Sequence, residues 1–229
     1  MARRRLPIFD DLWRRHESLY IEVFSLALEV LSGKASVVGD EDAISESLCP
    51  ILSRVCFDLG QNGRGEVRVP IWERPIQPVL DEELTGGKKR KRPDFTCSCY
   101  NRFASGPDEY KIPFHIECKL LGNPTSPAWV LNKNYVIEGM KRFDCPEHEY
   151  GKRAPSGMMI GYIISLTPDD IVIQINGYKQ RHLADFPDIT FAWNSGHVHQ
   201  TKQSIRRQHV APAEFHLTHI WADLRHNYG

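Results

Sequence analysis

The chain has 229 residues, of which 41% are hydrophobic and 25% charged, and its formal net charge at neutral pH is zero. This balance is typical of a globular protein with a substantial core, and it excludes a disordered or fibrous chain. The neutral total also excludes the strongly basic class of nucleic-acid coat proteins.

Two short basic clusters interrupt this neutral background, Arg3–Arg5 and Lys88–Arg92. Any nucleic-acid partner would have to be bound by local patches of this kind, since phosphate contacts need Lys and Arg. The other interpretation is that each cluster is a solvated terminus or loop. Lys91 and Arg92 are of most interest because they lie directly before Pro93-Asp94.

Six cysteines without a preceding secretory signal favour reduced thiols and a cytoplasmic location. The most apolar stretch, residues 19–31, carries Glu22 and Glu29 and is too short to cross a bilayer. We therefore predict a soluble helix there and no membrane partner.

The hydrophobic periodicity predicts an α/β fold, with a central mixed β-sheet flanked by helices. We expect an N-terminal helical extension over residues 1–39 and one α/β domain over residues 40–229. The predicted helices are 8–32, 41–60, 129–143 and 168–183, and the predicted strands are 66–72, 94–100, 112–120, 157–166, 188–193 and 214–221. Residues 74–92, rich in Pro, Gly and charge, are predicted to form a loop.

Charged residues fall at unusual places in two of these strands. Alternation along the strand from 112 to 120 puts His115, Glu117 and Lys119 on one face and the apolar residues on the other. If this strand pairs as a hairpin with the strand from 94 to 100, Asp94 at the start of one lies near Glu117 at the end of the other. Two carboxylates and an ammonium group would then converge.

A further carboxylate is predicted from the helix that precedes the strands. Glu41 falls close to the apolar stripe of this helix, whereas Glu46 falls on the opposite side. An acid at a buried helix edge needs a reason, so Glu41 is the better candidate for the site. The alternative is that Glu41 only stabilises the helix N-terminus.

Carboxylate oxygens are the hard ligands that Mg²⁺ prefers, and this ion also binds substrate phosphates. A nearby lysine would orient or help to deprotonate a water and offset negative charge on the phosphate. The predicted chemistry is therefore phosphodiester hydrolysis.

The pattern Pro93-Asp94, twenty-two residues, then Glu117-Cys118-Lys119 resembles the PD-(D/E)xK phosphodiesterase superfamily, which has the restriction-endonuclease-like fold. By this resemblance Asp94, Glu117 and the backbone carbonyl of Cys118 would bind Mg²⁺, for which Mn²⁺ would substitute. Lys119 would serve the attacking water, and Glu41 would be the acidic residue of the preceding helix. The resemblance covers roughly residues 40–166.

The next predicted helix extends this resemblance. Its "NYVIEGMKRF" is similar to the Tyr-x3-Gly-x2-Arg-Phe helix of several bacterial defence-type members. Tyr135 and Arg142 are seven residues apart, which would put them on one helix face, and are candidates for substrate contact. The other interpretation is a buried aromatic and a surface arginine. His115, Lys91 and Arg92 complete the candidate substrate-binding residues.

The function predicted from the sequence is a Mg²⁺-dependent endonuclease that acts on DNA in bacterial defence against foreign DNA. Two alternatives stay open: a catalytically silent interaction subunit with the same fold, and a nuclease for RNA or branched DNA. The neutral net charge also suggests that an oligomer or a partner subunit supplies part of the DNA affinity.

Overall fold

The fold is built on a six-stranded mixed sheet in the order β1-β2-β3-β4-β6-β5. The computed structural model of the chain describes residues 7–80 and 91–229. Strands β3, β4 and β6 are parallel, and β1, β2 and β5 add antiparallel pairs at the two sides. The strands are β1 Ile71–Trp72, β2 Phe95–Tyr100, β3 Lys111–Leu121, β4 Ser156–Ile163, β5 Val198–Arg206 and β6 Glu214–Asp223.

Helices cover both faces of this sheet, as the predicted α/β class requires. The α-helices are α1 Pro7–Ser32, α2 Glu41–Leu59, α3 Pro107–Tyr110, α4 Leu131–Asn134 and α5 Pro168–His182. Helices α1 and α2 bury Phe24, Leu28 and Leu48 against one face of β2, β3 and β4. Helix α5 and the segment that begins with α4 bury the second cluster, which includes Ile171 and Trp221, on the other face.

Most of the predicted elements are confirmed, including the long helix at the N-terminus and the fully buried β4 in the middle of the sheet. The first predicted strand is wrong over most of its length. Of residues 66–72, only Ile71–Trp72 pair with β2. Pro70 lacks the N–H that a ladder bond needs, so the pairing starts after it.

The predicted strand at 188–193 is also wrong. This segment is an extended loop that lays Phe191 and Trp193 over Trp221, at ring centroid distances of 4.4 and 6.2 Å. Its backbone is bonded by the side chain of Asn176 instead of a neighbouring strand. The polar segment that follows forms the edge strand β5, whose side chains alternate between buried and exposed positions.

The helix predicted over 129–143 is a composite of three pitches. Helix α4 continues into a π-helical turn over Tyr135–Gly139 and then a 3₁₀ segment over Met140–Asp144. Tyr135 and Arg142, predicted to share one helix face, both reach the sheet from this segment but contact different strands. Tyr135 points to β6 and Arg142 to β3.

In the described part of the chain, no helix combines the length and the apolar character that crossing a bilayer requires. Two predictions made from the sequence lie outside the described residues: the cluster Arg3–Arg5 and the Lys88–Arg90 part of the second basic cluster.

A buried hydrogen-bond chain ties the composite helical segment to β6. Trp221 Nε1 donates to the Tyr135 hydroxyl at 2.9 Å, and this hydroxyl lies 2.8 Å from His219 Nδ1. Because the indole N–H can only donate, the single hydroxyl proton is left for His219 Nδ1. His219 Nε2 then carries the ring proton and donates to Gln203 Oε1 at 3.3 Å.

The buried imidazole of His219 makes stability dependent on acid. Burial lowers the pKa of His219 to about 3, whereas the same group in the unfolded chain takes up a proton near pH 6.5. Between these values the unfolded state binds more protons, so the free energy of unfolding falls as pH is lowered. One such histidine contributes a loss of roughly 1–2 kcal/mol between pH 7 and 5.

We predict that in His219→Gln the free energy of unfolding falls less between pH 7 and pH 5 than in the wild type, by the roughly 1–2 kcal/mol that His219 contributes. The measurement is the free energy of unfolding of the wild type and the variant, from denaturant unfolding at pH 5 and pH 7. Groups that titrate equally in both proteins cancel when the two acid losses are subtracted. Replacement of the exposed His182 by Gln is the control and should leave the acid loss unchanged. An unaltered loss in His219→Gln would contradict a neutral, buried imidazole.

Candidate active site

The β2–β3 hairpin brings the two predicted carboxylates together. Phe95 pairs with Ile116, so the next position of the ladder places Asp94 opposite Glu117. Asp94 Oδ2 accepts a hydrogen bond from the backbone N–H of Cys118 at 2.5 Å. Two residues that are distant in the sequence therefore meet at the end of the hairpin, as alternation along the strands predicted.

The N-terminus of α2 supplies the third carboxylate. Asp40 caps this helix by accepting from the N–H of Ala43, which fixes Glu41 in the first turn. Glu41 Oε2 accepts from the backbone N–H of Leu120 at 3.2 Å, and Oε1 accepts from Lys119 Nζ. Glu46 is exposed, as expected from its position on the other side of the helix. The structure thus brings Glu41, and not Glu46, to the hairpin.

Lys119 lies at the centre of the cluster. Its Nζ is 2.5 Å from Glu41 Oε1, 2.6 Å from the backbone carbonyl of Cys118 and 2.9 Å from Glu117 Oε1. Burial alone would lower the pKa of Lys119, but the surrounding carboxylates raise it above its ordinary value. Lys119 is therefore an ammonium group, with hydrogen bonds to Glu41 and the Cys118 carbonyl and an ion pair with Glu117.

Arg142 closes the cluster from the opposite side of Glu117. Its guanidinium contacts Glu117 Oε1 directly and lies 3.7 Å from Glu138 one turn earlier. The π-helical turn and Gly139 allow the segment that carries Arg142 to lie close to β3. A Cβ at Gly139 would lie 2.5 Å from Met159 Cε and 3.4 Å from Lys119 Cγ, so the helical segment packs tightly over the lysine stem.

Burial and mutual repulsion give the two hairpin carboxylates unusual acidities. Glu117 is fully buried, and its burial together with the charge of Asp94 raises its pKa to about 8. Removal from water also raises the pKa of Asp94 to about 6, although Lys119 opposes this. Shifted acids of this kind cluster at functional sites, where charge serves a ligand at some expense of stability.

The cluster offers oxygen ligands that fit a divalent cation. Glu117 Oε2 is buried and has no hydrogen-bond partner in the described residues, a position that normally demands one. Asp94 and the Cys118 carbonyl supply further oxygens beside it. Hard oxygens with excess negative charge are what Mg²⁺ selects. Within residues 7–80 and 91–229, no three His, Cys, Asp or Glu side chains group as a metal site by themselves.

Solvent reaches the cluster from its outer side. The side chains of Glu41 and Arg142 are 27% and 23% exposed, whereas that of Glu117 is fully enclosed. Asp94 retains a partly exposed position between them. A substrate would therefore approach over Glu41, Asp94 and Arg142, with Glu117 forming the floor.

The remaining predicted site residues lie at different distances from the cluster. His115 is buried two positions before Glu117 on the same strand face, and its Nδ1 accepts from the N–H of Gly151. Lys91 is partly buried and Arg92 exposed, directly before Pro93-Asp94. The structure does not bring Tyr135 to the cluster, since its hydroxyl is bonded to Trp221 and His219 in the core.

Sequence reasoning missed two parts of the site. Glu138 lies four residues before Arg142, a spacing that predicts an ion pair on a helix. Ser98 and Lys111 extend the hairpin face beyond His115, and the same alternation that selected Glu117 would have found them.

Comparison with known proteins does not assign the chain to a family. No family model, no curated protein and no solved structure matches it.

Proposed function

We propose that the chain is a metal-dependent nuclease of the PD-(D/E)xK superfamily with a restriction-endonuclease-like fold. The observation that supports this proposal is the convergence of Asp94, Glu117 and Lys119 at the end of one hairpin, with Glu41 braced against them. The proposed substrate is DNA, in a bacterial defence role against foreign DNA, with Mg²⁺ as cofactor and Mn²⁺ as its substitute.

Asp94, Glu117 and the carbonyl of Cys118 would hold the metal ion. When bound, the ion would polarise the phosphodiester and lower the pKa of an attacking water. Lys119 would exchange its contacts with Glu117 and the Cys118 carbonyl for contacts with the water and the phosphate. Glu41 would hold the ammonium group of Lys119 in place during this exchange. Arg142 orients Glu117 and offers the remaining positive charge at the solvent side.

One observation favours a second candidate, a catalytically silent interaction subunit. Lys119 has two hydrogen bonds and an ion pair with Glu117, and Arg142 also pairs with Glu117, so the cluster can serve as a structural ion-pair network. Removing one partner of such a network destabilises a protein strongly even when no ligand is involved. Metal binding and cleavage therefore discriminate between the two candidates.

We predict that the purified chain cuts DNA with Mg²⁺ or Mn²⁺ and that EDTA stops the reaction. Asp94→Ala and Lys119→Ala should each lower the rate by a factor of about 100 or more, because each removes charge that acts on the reacting phosphate. Glu41→Ala should also lower the rate, because Lys119 loses its anchor. The measurement is cleavage of single-stranded, duplex, branched and RNA substrates.

The matched control for this experiment is Glu46→Ala, on the exposed side of the same helix. It should cut like the wild type. Undiminished cleavage by a folded Asp94→Ala or Lys119→Ala protein would reject the nuclease proposal.

Asp94→Asn should separate stability from metal binding. The amide oxygen can keep the bond from the Cys118 N–H, while the repulsion of Glu117 and the cost of a half-buried charge disappear. In EDTA at pH 8 we expect the free energy of unfolding to rise by about 1–3 kcal/mol.

The second readout for Asp94→Asn is the thermal shift caused by millimolar Mg²⁺. An ion that binds only the folded state raises the melting temperature of the wild type, and the variant should lose most of this rise. Equal shifts in both proteins would mean that Asp94 is not a ligand. No shift in either, also with DNA present, would favour the silent subunit.

A further inference from the structure

A cavity of about 340 Å³ lies on the sheet face that carries the candidate active site. Its floor is the continuation of the hairpin face, formed by Thr96 and Ser98 of β2 and by Lys111 and His115 of β3. Segment 74–79 forms one of its walls. The volume is within the range of about 300–1,000 Å³ typical of small-ligand sites.

The cavity adjoins the carboxylate cluster. His115 lines the cavity and precedes Glu117 by two positions on the same strand, which corresponds to about 7 Å along β3. Lys111 lies four positions further away, at the far end of the cavity. A chain-like ligand that follows β3 would therefore pass from the cavity directly onto the cluster.

Four cations among the described residues line the cavity, Arg74, Lys111, Lys152 and Arg153, and the one lining carboxylate, Glu149, pairs with Lys152. Arg74 donates only to Gln77 Oε1, and in the described part of the chain no carboxylate forms an ion pair with Arg74 or Lys111. Burial lowers the pKa of Lys111, and the positive charge of Arg74 lowers it further. Two cations that repel each other at a cavity wall favour an anionic ligand such as a phosphate group.

The interior offers polar groups that the protein leaves without partners. Because His115 Nδ1 accepts from Gly151, the ring proton is on Nε2, which has no hydrogen-bond partner in the described residues. The hydroxyls of Thr96 and Ser98 are also without partners there. Tyr110 and Pro113 add flat apolar surface beside these groups. Flat walls with a few polar groups suit a planar heteroaromatic base.

We propose that this cavity binds one unpaired nucleotide of the substrate strand. The base lies against Tyr110 and Pro113 and bonds with Ser98, Thr96 and His115, and its phosphate is held by Arg74 and Lys111. The proposal rests on the nuclease function proposed above and specifies its substrate. A base can lie in this cavity between side chains of the protein only when it is unpaired, so the strand must be single or locally opened.

The test measures binding of a labelled oligonucleotide to the full chain by fluorescence anisotropy. EDTA is present so that no cleavage occurs. The probes are a labelled mixed-sequence single strand and the same sequence as a duplex, with AMP as competitor. Lys111→Ala removes the phosphate contact, and Ser98→Phe fills the cavity. Lys34→Ala, an exposed lysine after α1, is the control. Thermal melting checks that each variant is folded.

We expect the wild type to prefer the single strand. Lys111→Ala should weaken that binding about fivefold and reduce the slope of log affinity against log salt by about 0.7, the share of one single-strand phosphate. Ser98→Phe should weaken it at least as much, since base contacts of this type contribute about 1–3 kcal/mol, or fivefold and more. Lys34→Ala should bind like the wild type.

Wild-type affinity in both cavity variants would overturn the proposal, and so would an equal effect of the variants on duplex binding. Tight binding of AMP alone, without binding of the strand, would also overturn the assignment to a substrate strand. If the chain binds the strand as expected but never cuts, the cavity assignment stands and the nuclease function fails. If it cuts while the cavity variants bind normally, only the cavity assignment fails.

Discussion

The structure of the site depends on a single ammonium group. Lys119 Nζ donates hydrogen bonds to Glu41 of α2 and to the Cys118 carbonyl of β3, and it forms an ion pair with Glu117 of β3. Without it, the carboxylates of Glu41, Asp94 and the fully buried Glu117 would lie close together and repel one another. The lysine therefore joins a helix to the sheet, and it also makes the concentration of negative charge tolerable. The proposed catalysis would use the same property, because a bound cation can take over this neutralising role and release Lys119 toward a phosphate.

Much of this arrangement was predictable because it follows from short-range rules. Alternation along β3 puts Glu117 and Lys119 on one face, and the helical angle of α2 selects Glu41 over Glu46. The hairpin register then follows from the polar loop between the two strands. These rules act within one element or between neighbours in the sequence, so a sequence pattern contains them directly. The coarse fold, a mixed sheet between helices, follows in the same way.

The first predicted strand failed for a local reason, the missing N–H of Pro70, whereas the other errors come from tertiary packing that overrides local preference. Residues 188–193 have strand-forming composition, yet Phe191 and Trp193 are used to cover Trp221, and Asn176 takes over the backbone bonds. The π-helical turn at Tyr135–Gly139 likewise has no local sequence signal. It satisfies two distant demands, the bond of Tyr135 to His219 and the contact of Arg142 with Glu117. The cavity beside His115 depends on segment 74–79, whose position no periodicity encodes.

The change of pitch in that helical segment has a consequence for how the site can be altered. A regular α-helix advances by 100° per residue, so a deletion within Tyr135–Gly139 would turn every later side chain by about that angle. Tyr135 would stay anchored in the core while Arg142 swung away from the hairpin. Loss of one residue from this turn would thus take Arg142 out of the charge cluster and leave the hydrophobic packing around Tyr135 in place.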